Sequence, residues 1–335
     1  MPKSSNQKQR ILLLQKMLER ETDEKHPLSM SEILQRLRQC DIETERRSIY
    51  DDINVLKENG LDIRAEKVPV TKYFVAARKF ELSEIKLLID SVAAAKCLPE
   101  KETGELIKKL LSLCSKHEGK QLAQLQNKTA LHYVKSNNRH IYLNISTILD
   151  AIQQGRNLTF NYQYYTVNKE LKYRRKGKRY SVTPYTLFCN TDIYYLFAYD
   201  IFKRQFRYYR LDRIKDAGLG RYDMKGKDEV GNVPIADFPK TNFSPLDGKV
   251  EYVTMHFNKH LLNSVIDRFG KEISIRNGGS RYIITVPVVL SQQFYAWAFR
   301  FGKDMQIVSP AYVAEDFKKM LFDVGQMYTF DKSSK

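Results

Sequence analysis

Near residue 155 the apolar pattern of this 335-residue chain changes period, and that change limits its folds more than any other feature. Upstream, apolar residues recur every third or fourth position, as in amphipathic helices. Downstream come short runs rich in Tyr, Phe, Val and Ile, broken by turn residues, as in a succession of short strands. A chain that switches in this way is expected to hold separate α-rich and β-rich domains. The length fits two or three domains.

The first segment reads helix, helix, helix, hairpin. Ile11, Leu14 and Leu18 share a helical face. Ser29 and Glu32 form a capping-box pattern ahead of Ile33, Leu34 and Leu37. A turn near Asp41 leads to a third helix, with Thr44 as its expected N-cap, Ile49, Ile53 and Leu56 facing inward and Gly60 as its stop. Two β-like runs follow, 61–66 and 72–76. This order predicts a winged helix-turn-helix over residues 1–79. Residues 80–136 read as a helical connector, with Ser83 capping its first helix.

Steps of about 100° per residue place Arg47, Tyr50, Asp51 and Asn54 on the outer side of the third helix, with Arg46 nearer the edge. Donors near the N-terminus of such a helix can reach base edges and phosphates in a major groove. The expected DNA contacts are Arg46, Arg47, Ser48, Tyr50, Asn54 and, from the hairpin, Lys72. Asp52 faces inward and is expected to make a structural contact.

A helix at 145–153 is followed by strands at 158–164, 180–187, 193–199 and 206–211, the pattern of a small barrel or strongly bent sheet. Residues 222–248 read as a linker. The last segment, 249–335, has the order strand, helix, two strands, helix, strand, helix, expected as a ferredoxin-like α+β domain. The fold class is therefore multidomain α+β.

The formal net charge of +17 favours a polyanionic partner. Its distribution is uneven. Residues 1–80 hold 16 Lys/Arg and 13 Asp/Glu; residues 156–215 hold 14 and 4. The excess therefore lies outside the segment that resembles a DNA reader. Lys172, Arg174, Arg175, Lys176, Lys178 and Arg179 crowd one turn, with Tyr162, Tyr164, Tyr173, Tyr180 and Tyr185 around it. Cations interleaved with aromatic planes can neutralise phosphates and stack bases. Beyond Phe206, strand alternation puts Arg207, Tyr209, Leu211 and Arg213 on one side and Tyr208, Arg210 and Asp212 on the other. Asp212 is expected to hold an Arg by a bidentate pair.

Two stretches carry a family resemblance. RRSIYDDINVLKENGLDI resembles the recognition helix of bacterial winged-helix regulators that carry WYL domains, matching at Arg47, Ser48, Ile49, Tyr50, Asp52, Ile53 and Leu56. Asp51 departs from the Arg of many relatives. TDIYYLFAYDIFKRQFRYYRLDRI is similar to the WYL core, with Tyr194-Tyr195-Leu196 in place of Trp-Tyr-Leu, and KRYSVTPYTLF resembles the strand before it. The resemblance implies an Sm-like small β-barrel over 137–221 that binds a nucleic-acid or nucleotide-like anion, and a WCX-like dimerisation domain over 249–335. The ligand contacts expected on it are Tyr162, Tyr164, Arg179, Tyr185, Tyr195, Arg207, Arg210 and Arg213.

The chain is thus expected to be a dimeric transcriptional regulator that binds a double-stranded operator and responds to a single-stranded or nucleotide effector. A rival expectation is an RNA- or single-strand-binding accessory protein of a defence system, favoured by the charge of the middle domain. No catalytic motif, cofactor or metal site is expected; His256 and His260 straddle a strand–helix junction. The four cysteines, Cys40, Cys97, Cys114 and Cys189, are expected as reduced, mostly buried thiols. With no signal peptide at MPKSSNQKQR and no long apolar run, the protein is expected in the cytoplasm.

Overall fold

The computed structural model describes residues 3–67, 69–128, 135–190, 193–223 and 250–328. The chain forms two compact units, Met1–Tyr142 and Leu143–Lys335. The linker expected at 222–248 falls almost wholly outside the described residues.

Unit 1 opens with α1 (Lys3–Glu21), β1 (Leu28–Ser29), α2 (Met30–Gln39) and α3 (Arg46–Glu58). A hairpin of β2 (Ile63–Lys67) and β3 (Thr71–Val75) follows, and β1 pairs with β3, giving the order β1-β3-β2. The capping box forms as expected: the Glu32 amide donates to Ser29 Oγ at 3.3 Å and the Ser29 amide to the Glu32 carboxylate at 2.8 Å. Thr44 does not cap α3. The cap residue is Glu45, without a side-chain bond, and Thr44 Oγ1 is buried with no partner among the described residues. One core joins Leu14 and Leu18 of α1, Ile33 and Leu37 of α2, Ile49, Ile53 and Leu56 of α3, and Ile63 and Val75 of the hairpin. Burial of these side chains, at roughly 1.5–3 kcal/mol each, fixes the three helices against the sheet.

The connector holds α4 (Leu82–Ala94), α5 (Glu100–Leu111) and α6 (Lys116–Lys128) around Ile85, Ile89, Cys114 and Leu122. Glu81, not Ser83, caps α4, in a reciprocal pair with Glu84. Ser115 caps α6 in a second pair with Glu118 and also donates to the buried Asp23. Arg78 binds the carbonyls of Glu19 and Thr22 and faces Glu118 at 3.7 Å, so three elements of unit 1 meet on its guanidinium.

α7 (Ile141–Gln153) leads into unit 2. It precedes β4 (Arg156–Tyr165), β5 (Leu171–Tyr173), β6 (Tyr180–Asn190), β7 (Ile193–Asp200), β8 (Gln205–Arg210) and β9 (Ile214–Asp223). The sheet runs β5-β4-β6-β7-β8, and β9 also pairs with β4. The first and last long strands of the segment are thus neighbours, which curls the sheet into a half-barrel. β8 pairs with β7 alone among the described residues. Sequence reading missed β5 and β9. It also carried a strand through Leu211, where a 3₁₀ turn, Leu211–Arg213, intervenes. Inside the curl, Phe160, Tyr162, Tyr180 and Tyr209 form a buried aromatic cluster with ring centroids 5.1–6.3 Å apart. Asn157, buried on β4, donates to Ser181 Oγ and accepts from the Tyr222 amide. A Cβ on Gly220 would lie 2.0 Å from the Asn157 amide oxygen.

The C-terminal part contains β10 (Val250–Asn258), α8 (Leu262–Phe269), β11 (Ile275–Asn277), β12 (Arg281–Val289), α9 (Gln292–Phe299), β13 (Met305–Ser309) and α10 (Ala311–Met327). Its antiparallel sheet has the order β11-β12-β10-β13. Val253, Met255 and Phe257 of β10 and Ile284, Val286 and Val288 of β12 alternate into one core with Phe294 of α9. No helix among the described residues is long and apolar enough to cross a membrane.

Candidate functional site

In α3 the inward stripe Ile49, Asp52, Ile53 and Leu56 is buried, while Arg46, Arg47, Tyr50 and Asn54 are exposed. Ser48 is half-buried, as is Lys72 on the hairpin. The helix is held in rotation by Asp52. Its carboxylate accepts a fork from Arg10 of α1, Nε at 2.5 Å and Nη2 at 3.0 Å. The Arg10 pKa is raised, first by this hydrogen bond and then by the charges of Asp52 and Asp51. Tyr50 meets Tyr73 of β3 edge to face at 6.5 Å, so the outer face of the helix touches the hairpin. Arg46, Arg47, Tyr50 and Asn54 thus share the outer face of α3, whereas Lys72, next to Tyr73 on β3, pairs with Ser29 and lies near Glu32 at the start of α2.

The residues expected as ligand contacts divide into three groups. The first surrounds the turn after β8. Arg210 is bound to Asp212 by two hydrogen bonds, Nε at 3.1 Å and Nη2 at 2.9 Å, as the sequence pattern anticipates. That pair raises the Arg210 pKa, with burial opposing it. Tyr195 lies opposite Arg210 on β7 and stacks on Phe188. The Tyr162 hydroxyl accepts from the Arg210 amide at 3.0 Å. Burial raises the pKa of both tyrosines, and Arg210 and Arg213 oppose the rise. Arg213 is half-buried, and its Nε has no hydrogen-bond partner among the described residues. A guanidinium N–H buried without an acceptor costs free energy. Asn144 of α7, 1% exposed, donates to the Ile214 carbonyl at 2.9 Å and fixes the far end of the same turn.

The second group lies on the β4–β5 hairpin and the turn that follows. Tyr164 faces Lys172 across the pair, and Arg174 lies 5.8 Å from the Tyr164 ring and 6.0 Å from that of Tyr162. Arg175, Lys176 and Gly177 follow with φ of +52°, +52° and +82°. A left-handed backbone costs a non-glycine residue about 1–2 kcal/mol, so two in a row need compensation. Arg175 provides it by stacking 4.0 Å over Tyr180 and bonding at 3.1 Å to Asp200, which is fully buried. Asp200 also accepts from the Tyr209 hydroxyl and the amides of Phe202 and Lys203. Burial and Asp200 together push the Tyr209 pKa far up.

The third group is structural or remote. Arg179 is exposed, yet its guanidinium bonds the Thr159 carbonyl and hydroxyl and the Asp216 carbonyl, tying β4 to β9. Tyr185 sits at the bulge of β6 against Phe197 and Phe206. Arg207 lies on the face of β8 opposite Arg210 and near Tyr209, so these two arginines do not form one site. The alternation assumed through Arg213 fails because the strand ends at Arg210. Sequence reasoning missed Arg10, Asn144 and Asp200. Their partners lie 42, 70 and 25 residues away, and no local pattern signals such pairs.

The described residues contain no group of three or more His, Cys, Asp or Glu side chains able to hold a metal. His260 faces Asp304 at 3.5 Å. The four cysteines form no disulfide with one another; Cys97 and Cys114 are buried, as expected, whereas Cys40 and Cys189 are exposed.

The WYL domain family model matches residues 144–219, and the WCX domain model matches residues 249–322. The chain carries a WYL domain and a WCX domain. A curated relative is an uncharacterized HTH-type transcriptional regulator, YobV of Bacillus subtilis (strain 168), 20% identical over 187 residues, covering 55% of this chain and 54% of the relative. The chain thus spans about half the length of the curated relative it matches. Among solved structures, proteasome accessory factor B/C (PafBC) of Arthrobacter aurescens matches at a TM-score of 0.29 and 15% identity, covering 97% of this chain and 49% of that one. A CRISPR Cas-related protein matches at a TM-score of 0.36 and 15% identity, covering 73% of this chain and 72% of that one. Scores this low do not establish a shared fold. In this chain the WYL match spans the curled sheet and the Arg210–Arg213 turn, and the WCX match spans the four-stranded sheet.

Proposed function

We propose that this protein is a cytoplasmic, homodimeric transcriptional regulator without catalytic activity. Unit 1 acts as a winged helix-turn-helix with α3 as its recognition helix, and the WYL domain senses a nucleic-acid or nucleotide-like anion. The observation that carries the reading is the outer face of α3, where Arg46, Arg47, Tyr50 and Asn54 stand exposed on a helix whose rotation is set by the Arg10–Asp52 fork. Lys72 adds a phosphate contact from the hairpin. The relative's description as an HTH-type transcriptional regulator supports the same reading. In the WYL domain the ligand contacts are Tyr162, Tyr195, Arg210 and Arg213, with the charged Arg213 guanidinium as the anchor, next to both tyrosines. The strand order β11-β12-β10-β13 supports a ferredoxin-like WCX domain, which we assign to dimerisation.

Arg47→Ala should weaken binding to the chain's own upstream duplex by about 1–3 kcal/mol if Arg47 reads a base. Fluorescence anisotropy against that duplex and a scrambled one measures it. Unchanged affinity and selectivity would falsify the role of α3. A dimer should protect two half-sites separated by whole helical turns of roughly 10–10.5 base pairs, which footprinting resolves.

A second reading, a single-strand- or RNA-binding accessory protein of a defence system, is favoured by the charge excess of residues 156–215, 14 Lys/Arg against 4 Asp/Glu. It predicts tighter binding to single strands than to any upstream duplex.

A further inference from the structure

We propose that the junction between the α1–α3 and hairpin half of unit 1 and its helical connector is a proton-responsive joint, closed by the stacked rings of His26 and His117 and opened when both are charged. The joint itself is independent of the reading of α3; only its effect on duplex binding rests on that reading.

His26 lies in the loop between α1 and β1, and His117 in the first turn of α6. Their rings are parallel to within 6°, with centroids 3.8 Å apart. His26 Nδ1 lies 2.7 Å from Asp23 Oδ1 in the same loop. The other Asp23 oxygen accepts from Ser115, whose hydroxyl also accepts from the Glu118 amide at 3.0 Å and so caps α6. The loop and the helix are thus fastened twice, once by Asp23 on Ser115 and once by the ring stack. The His26 side chain is 46% exposed and His117 is half-buried, so protons reach both rings from solvent.

The charges around the pair decide what protons do to it. The loop supplies Asp23 and Lys25, α1 supplies Arg20, the segment after β3 supplies Arg78, and α6 supplies Lys116, Glu118 and Lys120. Glu118 is taken by the Ser115 amide and by Arg78 at 3.7 Å. Among the described residues Asp23 is therefore the carboxylate that answers a proton on the pair, and it reaches His26. Burial works to raise the Asp23 carboxyl, but bonds from Ser115 and His26 hold it below 3.8, so it stays ionised wherever an imidazole titrates. One proton, on His26, is matched. A second, on His117, sets like charges on stacked rings and puts a cation in the first turn of a helix, where the macrodipole opposes it. Rings freed from a stack accept that proton near the ordinary value of about 6.5. The closed joint therefore binds fewer protons than the open one, and its stability falls as the pH drops from neutral towards about 5. That window lies above the one in which Asp23 itself is protonated. The Arg78 guanidinium, charged throughout, keeps the carbonyls of Glu19 and Thr22 and serves as the pivot.

The test uses the full chain, labelled with carbon-13 at histidine Cε1 and followed by NMR from roughly pH 8 to pH 5. His26→Phe and His117→Phe assign the two signals. In the wild type the two rings should titrate in steps about one pH unit or more apart, as strongly interacting sites do. Urea unfolding gives the second measurement. The folding constant of unit 1 should fall about tenfold between roughly pH 7.5 and pH 5, the equivalent of one unit of coupling. His117→Phe keeps a stacking ring without its charge and should lose little over the same window. Coincident titration of the two rings, or the same loss of stability in both proteins, overturns the joint. Should His117→Phe fail to fold, His26→Phe supplies the assignment and the wild-type titration decides alone. Affinity for the chain's own upstream duplex, read by anisotropy, should fall about threefold or more across the window in the wild type and hold steady in His117→Phe. An unchanged affinity, or an equal fall in both, overturns the regulatory role. Failure of both proteins to prefer that duplex over a scrambled one at any pH counts against the reading of α3 instead, and the titration still decides the joint.

Discussion

Asp52 in unit 1 and Asp200 in the WYL domain are both buried carboxylates that hold an arginine, yet they are supported differently. Among the described residues Asp52 takes one partner, the forked guanidinium of Arg10. Asp200 takes donors from four residues, Arg175, Tyr209, Phe202 and Lys203. The first arrangement sets one helix against another and has no reserve. The second organises the turn after β7 and braces the basic turn before β6, and it tolerates the loss of one member. A buried charge left without its partner is costly, whereas a carboxylate that keeps several donors is not.

The comparison can be broken most decisively at Arg10. Arg10→Ala should destabilise unit 1 by about 3–5 kcal/mol, read as the first transition in urea unfolding by circular dichroism. Adding Asp52→Leu should recover most of that loss, because the stranded charge is removed together with its partner. If the double variant is no more stable than the single one, the cost lies in lost packing of α1 and the contrast with Asp200 fails.

Arg175→Ala should cost less, about 1–2 kcal/mol, since Asp200 retains three other donors. Hydrogen exchange should show faster opening at 174–178 with protection of the β7–β8 turn kept. A loss as large as that at Arg10 would mean that the two carboxylates are equally dependent on their arginines.

The smallest effect sharpens the contrast with a third carboxylate. Burial alone would raise the Asp23 pKa, but hydrogen bonds from Ser115, His26 and the Lys25 amide hold it below the ordinary 3.8. A group with a depressed folded-state pKa contributes stability that is complete above its unfolded value and lost as the pH falls through the folded one. Unit 1 should therefore lose stability below about pH 4, and Asp23→Asn should flatten that part of the acid profile. An unaltered acid profile in that variant would assign the loss to other carboxylates.

What the sequence revealed and what it hid follow from the range of the interactions. Ser29 and Glu32 are three residues apart, and their cap was legible. So were the stripe of α3 and the alternation of β10 and β12, because each repeats within a few residues. Thr44 misled because a good capping residue one position early looks the same as a correct one. β5 is three residues long within a basic run, and β9 contains Gly218, Gly220 and several charges, so neither shows an apolar period. Both exist because β4 offers them an edge. The turn at Leu211–Arg213 was hidden for the opposite reason: its residues continue a plausible alternation, while Asp212 folds back onto Arg210. Among the candidate sites, exposure on α3 and the opposition of Arg207 and Arg210 could be read from helical angles and strand alternation, but the separation of Arg213 from Arg207 required the end of β8 to be seen.

The contact between Asn157 and Gly220 also bears on how related chains can diverge. No side chain fits at 220 while Asn157 keeps its place, since a methyl there would lie 2.0 Å from the amide oxygen. Asn157 in turn holds β6 through Ser181 and β9 through Tyr222. Mutational drift at either position is therefore conditional on the other. A chain that acquires alanine at 220 must first have shortened residue 157 and found another acceptor for the amide at 222. Across descendants the two sites should change as a pair, and the order of the changes should run in one direction.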